Sequence, residues 1–336
     1  MHPYLPLIYF DSLILMARPP FSHYNNVLRC ATILVTLACA TLTWASLIYA
    51  APLPKGVDLS FTNFSNVSSS LNCSIDGLTA SNTNISPDNI CKVFITGKSV
   101  IFSAPVYPTS ARYQYLKKVQ LWSSKTKSHA VSFSTSYVIE FLRSSDRRES
   151  ENFFSFGGGW AFAITPDQRV GAAGPESLGL FEIDPKTGNS LRGKKKTKTL
   201  AVELDISRNS GDVTFPDPSI PHVGLDIDTV RSVVTSPIGS FPTLVDRPIA
   251  VFIDYDALKA RLDVRVQKLS GSDTSRSVPD KKKAKLYISY APLRLSDLVE
   301  EYSYVGFSSR VPVEEHGNYF LTSWKFSTKW VDIDHA

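Results

Sequence analysis

The sequence predicts an all-β protein, an antiparallel β-sandwich, after an N-terminal apolar leader. Three observations point there: short runs in which apolar and polar residues alternate, Gly, Pro and Asn punctuation between them, and a near absence of helical periodicity. With 43% hydrophobic and 20% charged residues, the chain has the composition of a globular protein. All-β sandwiches of roughly 200 to 250 residues form single units, so one domain over residues 57–330 following a leader over 1–51 accommodates the 336 residues.

The leader comes first. Ala31–Ala51 carries no charge, Arg29 precedes it, Pro52 and Pro54 follow it, and small residues stand at Ala50 and Ala51. A positive flank, an apolar core and small residues at its end are the features of a secretory signal peptide. About 20 apolar residues also suffice to span a bilayer, so a retained signal anchor stands beside the cleaved signal, and a membrane is a partner only in that second case. Either reading places the mature chain in the secretory pathway, secreted or on the outer face of the cell surface.

Export into an oxidising compartment bears on the cysteines. Only Cys73 and Cys91 of the four lie outside the leader, and they are expected to pair as a disulfide. Sequons at Asn63, Asn66, Asn72 and Asn84 crowd the same Ser/Asn-rich stretch, which fits a glycoprotein. The net charge of +5 comes partly from the runs Lys194–Lys198 and Lys281–Lys285, flanked by Gly, Ser, Asp or Pro. Nucleic-acid binding would call for basic residues interleaved with aromatics on one face, so these runs read as solvated loops and no nucleic-acid partner is expected.

Strands follow. Val131–Leu142 alternates Val131, Phe133, Thr135, Tyr137, Ile139 and Phe141 against smaller or polar residues, the period of a half-buried strand. Ile249–Asp254 and Arg261–Gln267 bracket Tyr255–Lys259, which reads as a hairpin connection. Leu295–Glu301 is the one helical candidate, with Ser296 as its cap. Residues 184–199 and 270–284 are polar, turn-rich surface insertions.

The chemistry concentrates in Ala201–Ser232. On a strand, Glu203 and Asp205 project from one face, and Asn209, Asp217 and His222 lie in a Gly/Pro-rich loop that can fold back over them. Three carboxylates, an amide and an imidazole suit a hard cation such as calcium beside a manganese- or zinc-class ion. Acids buried against Val202, Leu204 and Val223 would be costly without such a partner.

This segment resembles the metal loop of the legume lectins. The resemblance extends through Ser103–Val106, Leu121–Trp122, Val131–Tyr137, Gly159–Phe162, Leu178–Phe181, Ile253–Asp256, Tyr304–Ser308 and Ser323–Ser327, in the order that family uses, over roughly residues 57–330. It implies the legume-lectin (concanavalin A-like) jelly roll, carbohydrate binding, and calcium with manganese or another transition metal. The transition-metal ligands it implies are Glu203, Asp205, Asp217 and His222, with Ser232 acting through water. The calcium ligands are Asp205, the Ser207 carbonyl, Asn209 and Asp217. A short insertion relative to the family separates Asn209 from Asp217.

The sugar site departs from the family's pattern. Where these lectins carry an Asp that accepts from sugar hydroxyls, this chain has Gly158; where they carry a Gly before the Leu-Gly run, it has Glu176; where an aromatic stacks on the ring, it has Ser207. Asn209 matches. A glycine cannot replace a carboxylate that makes charge-assisted bonds, so the implied site is degenerate. The implied partners are glycans or glycoproteins, with homo-oligomer formation left open. Two rivals remain: a lectin fold that acts by protein contact, in adhesion, defence or signalling, and a glycoside hydrolase of related fold. The hydrolase needs a second acid close to the first, and Ser207 stands where a Glu-x-Asp-x-Glu pattern would place it, so no enzyme is expected.

Overall fold

The computed structural model describes residues 53–62, 64, 71–76, 95–96, 99–101, 109–126, 128–143, 159–168, 178–181, 197–206, 221–239, 244, 247–269, 279–311 and 317–333. The leader, with both of its readings, lies outside them.

Two antiparallel sheets of eight strands make a sandwich. The long sheet runs β14 (Lys285–Tyr290), β13 (Arg261–Lys268), β12 (Pro248–Asp256), β7 (His129–Arg143), β16 (Gly317–Asp332), β4 (Ser99–Ile101) and β3 (Ile95–Thr96), with β1 (Asp58–Phe61) also on β16. The site sheet runs β11 (Val234–Pro237), β10 (His222–Ile227), β9 (Leu200–Asp205), β8 (Gly159–Thr165), β15 (Tyr302–Val311), β5 (Thr109–Tyr115) and β2 (Leu71–Asp76), with β6 (Val119–Gln120) also on β15.

Period-two patterning sends one side of each strand into the space between the sheets. Val131, Phe133, Thr135, Tyr137, Ile139 and Phe141 of β7 are all buried, as the alternation requires. On β16 the buried series Tyr319, Leu321 changes parity to Trp324, Phe326, and the register shift between Leu321 and Ser323 supplies the extra residue. Phe307 of β15 sits at the centre, its ring edge-on to Tyr137, Phe162 and Trp324 at 5.0, 5.9 and 5.1 Å.

Local expectations need adjustment. The β12–β13 connection is Ala257–Ala260, because Tyr255 and Asp256 still pair with Leu262 and Arg261. The helix α1 is only Leu295–Leu298; Arg294 stands at its N-cap without a side-chain bond, and Ser296 lies inside it. It stops because Val299 returns to extended backbone, buries its side chain, and gives its carbonyl to the Trp122 indole N–H. The second lysine run forms a surface 3-10 turn, Lys281–Lys283, capped by Asp280, and Lys281 Nζ is anchored 2.6 Å from Asp254 Oδ1. Of the first run, Lys198 is described; its Nζ donates to the Asp297 carbonyl at 3.1 Å.

Candidate functional site

The inner face of the site sheet is apolar: Trp160, Phe162 and Ile164 from β8, Leu200, Val202 and Leu204 from β9, Val223 and Leu225 from β10 all enter the main core. Alternation turns the intervening residues outward. On that outer face Asp205 stands opposite His222, Glu203 opposite Gly224, and Ala201 opposite Asp226. On the other flank of β9, Gly159 and Ala161 stand opposite Asp205 and Glu203. Val202, Leu204 and Val223 are therefore not what the acids are buried against, since strand parity puts them on the opposite face.

The acids are buried all the same. Leu178, Leu180 and Phe181 pack over Ala161, Ala163, Ala201 and Val230 on the outer face. Glu203, Asp205, His222 and Asp226 expose 4, 9, 2 and 0% of their surface. His222 is the first residue of β10 rather than part of a loop, because the strand pairing with β9 extends to Asp205.

Glu203 Oε1 lies 3.2 Å from His222 Nε2 and accepts from the Ser232 hydroxyl at 2.6 Å; Ser232 Oγ also stands 2.7 Å from Asp226 Oδ1. Gly224 makes this possible, since a Cβ there would overlap Ser232 Oγ and Glu203 Oε1. Burial, with the Glu203 and Asp205 charges, pushes the Asp226 carboxyl well above the ordinary Asp range of 3.8. Its Oδ2 is buried without a hydrogen bond.

Asp226 and Gly224 are the residues that reading the sequence passes over. The signal was present: His222, Gly224 and Asp226 repeat at a period of two, so the strand face that carries the imidazole carries the acid as well.

Three carboxylates and one imidazole on a buried face leave an excess of negative charge that a cation would offset, and the orphaned Asp226 oxygen points the same way. The donor set of carboxylate oxygens and an imidazole nitrogen fits a transition metal. Among the described residues, however, no group of three or more His, Cys, Asp or Glu side chains is gathered closely enough to hold an ion on its own. Ser207, Asn209 and Asp217 lie outside the described residues, as do Gly158 and Glu176 of the expected sugar site, Cys91, Asn63, Asn66 and Asn84. Cys73 and Asn72 fall in β2, their backbones paired with Tyr113 and Gln114 of β5.

Comparison with known proteins bears on this fold. Residues 57–335 match the legume lectin domain model. The galactose-binding lectin of Arachis hypogaea is 27% identical over 297 residues, covering 86% of this chain and 90% of that one. The L-type lectin-domain containing receptor kinase IV.1 of Arabidopsis thaliana is 26% identical over 275 residues, which is 78% of this chain. The chain spans 36% of that kinase's length and 31% of the probable inactive receptor kinase III.1 from the same plant. Among solved structures, Ulex europaeus lectin I in complex with the methyl glycoside of α-L-fucose superposes with a TM-score of 0.60 at 20% identity, over 82% of this chain and 99% of its own. Peanut lectin with a 9-mer peptide gives 0.61 at 22% identity, over 83% and 99%. The sandwich is thus a non-enzymatic lectin fold, which decides against the hydrolase, and the chain belongs to the legume lectin family.

Proposed function

We propose that this chain is a carbohydrate-binding lectin of the secretory pathway or cell surface, completed by a transition metal such as manganese and by calcium. The observation that carries the reading is the buried acidic face of β9 and β10, where Glu203, Asp205 and His222 lie on facing strands with Ser232 and Asp226 behind them. Glu203, Asp205, Asp217 and His222 would hold the transition metal. Asp205, the Ser207 carbonyl, Asn209 and Asp217 would hold calcium. A cation here would replace the proton between Glu203 Oε1 and His222 Nε2 and neutralise the surplus carboxylate charge.

Glycans or glycoproteins are the ligands this reading assigns, through Asn209 and the Gly158 and Glu176 positions. A second reading has a specific observation behind it: Gly158, Glu176 and Ser207 stand where the family carries an acceptor, a glycine and a stacking aromatic. On that reading the fold acts by protein contact. A glycan array probed with the full chain, with calcium and manganese and then with chelator, separates the two. Metal-dependent retention supports the lectin; none at any glycan leaves the protein-contact reading.

A further inference from the structure

The outer face of the long sheet carries a second concentration of charge. Ile253, Tyr255, Leu262 and Val264 enter the main core, so alternation turns Asp254, Arg261, Asp263 and Arg265 away from it. Asp254 and Asp263 stand directly opposite each other on β12 and β13, where like charges repel. Basic groups offset them. Lys281 Nζ and the Ser134 hydroxyl both donate to Asp254 Oδ1, at 2.6 and 2.7 Å. Arg265 stands 3.8 Å from Asp254 Oδ2 and 3.5 Å from Asp263 Oδ2. The 3-10 turn that carries Lys281 is held to the sheet in its own right: the Asp280 N–H donates to Gln267 Oε1 at 2.9 Å, and Ala284 packs against Val138, Ala250, Phe252 and Leu269.

Between that turn and the two strands lies a cleft of about 670 Å³, lined by four acidic and four basic side chains. Its size is that of a small-molecule pocket. Three polar atoms of its lining residues are buried and make no hydrogen bond: Asp254 Oδ2, Asp263 Oδ1 and Arg261 Nε. Asp263 is only 8% exposed. Its Oδ1 and Arg261 Nε, an acceptor and a donor, stand 3.3 Å apart. A single oxygen that both donates and accepts reaches the two together, with hydrogen bonds of about 2.7 and 2.9 Å. An ammonium only donates and an ionised carboxylate only accepts, so neither answers both atoms. A hydroxyl does, and an adjacent hydroxyl of the same molecule can turn to Asp254 Oδ2 across the strand pair. Acids and bases balance in the lining, so the ligand needs no net charge.

We propose that this cleft is a binding site for a neutral polyhydroxyl ligand such as a short saccharide, with Asp263, Arg261 and Asp254 taking its hydroxyls. The site lies on the opposite face of the sandwich from Glu203 and His222. It needs no metal and stands independently of the metal-dependent reading above. Among the described residues no aromatic ring lines the cleft, so hydroxyls alone hold the ligand and it dissociates too fast to stay on a washed array.

The test is an equilibrium titration of the isotope-labelled full chain in chelator, followed by amide shifts across 254–265 and 280–283. Maltotriose is the probe, and triglycine, zwitterionic and without hydroxyls, is the comparison. Maltotriose is expected to move these amides saturably in the millimolar range, and triglycine to leave them in place. Asp263→Ala should weaken the maltotriose response by about tenfold or more, through loss of a charge-assisted bond. Asp254→Asn should weaken it to a smaller extent, and it carries the test if Asp263→Ala does not fold. No saturable response in the folded parent overturns the site, its three buried atoms then being hydrated only. An equal response to triglycine overturns the assignment to hydroxyls. A response that is unchanged in both variants, or centred on the Glu203 and His222 face, places the ligand elsewhere and overturns the site as well.

Discussion

The Ser232 hydroxyl lies 2.6 Å from Glu203 Oε1, on the buried outer face of the site sheet. A serine has one proton to give, and a second carboxylate oxygen, Asp226 Oδ1, is 2.7 Å away. The two carboxylates therefore compete for it, and burial with the Glu203 and Asp205 charges favours the protonated form of Asp226.

Asp226→Asn is the first variant this predicts. It keeps the shape and a donor toward Ser232 and takes away a carboxyl that is costly to ionise beside Glu203 and Asp205, so the chelated protein should melt no lower than the parent. Metal affinity should fall roughly 10-fold to 100-fold, the usual effect of losing a partner that orients a ligand. Calorimetry with and without chelator reads both quantities, and a lower Tm in chelator would show the Asp226 charge to be stabilising.

The pH dependence of the chelated protein follows from the same group. A carboxyl whose folded pKa lies above its unfolded value of 3.8 contributes stability that is fully present below 3.8 and is lost as pH rises through the folded value. Chelated protein should therefore lose stability from mildly acidic toward neutral pH, and Asp226→Asn should flatten that slope. Metal-loaded protein should show the opposite trend over the same window, because the ligands must shed protons to bind. Parallel melting curves at several pH values decide it.

Gly224→Ala tests the packing beneath the site. The added methyl overlaps both Ser232 Oγ and Glu203 Oε1, so the pair must separate. Breaking a buried charge-assisted bond and leaving its acceptor short costs about 1 to 3 kcal/mol. A greater loss is expected in metal than in chelator, since Glu203 is then displaced as a ligand. An unchanged Tm in both conditions would show that the sheet relaxes to admit the methyl.

How much of this was legible depends on the range of the interaction. The strands and the common face of Glu203 and Asp205 follow from a period of two, a property of neighbouring residues. What lies over that face does not. Leu178, Leu180 and Phe181 pack over Ala161, Ala163 and Ala201, and Arg112 reaches Gly179 and Leu180 from 67 and 68 residues away, a pairing no local pattern encodes. Residue type alone makes Ser296 the cap, yet the one-turn helix is set by the need to return Val299 to the core.

Removal of metal should lower thermal stability, because an ion bound only by the folded chain stabilises it by mass action, about 2.7 kcal/mol at a concentration 100 times Kd. Asp217→Ala should abolish the difference between calcium- and manganese-loaded and chelated protein. A Tm indifferent to chelator, calcium and manganese in the parent would mean that the insertion between Asn209 and Asp217 has dismantled the site.

Carbohydrate recognition is expected to be weak and routed through Asn209, which on the family's pattern both touches calcium and faces the sugar. Gly158→Asp restores the acceptor, and each charge-assisted bond it recovers is worth roughly 1.5 to 3 kcal/mol before ordering costs. That gain is opposed from one direction, because Glu176 would place a second carboxylate in the same pocket and two like charges there repel. The substitution is therefore expected to strengthen glycan retention more in a Glu176→Gly background than in the parent. Asn209→Ala should abolish retention in every background, measured on the same array in calcium and manganese. Tight binding that survives Asn209→Ala would place the ligand elsewhere on the molecule, away from the end of the sheet where β8 begins and β9 ends.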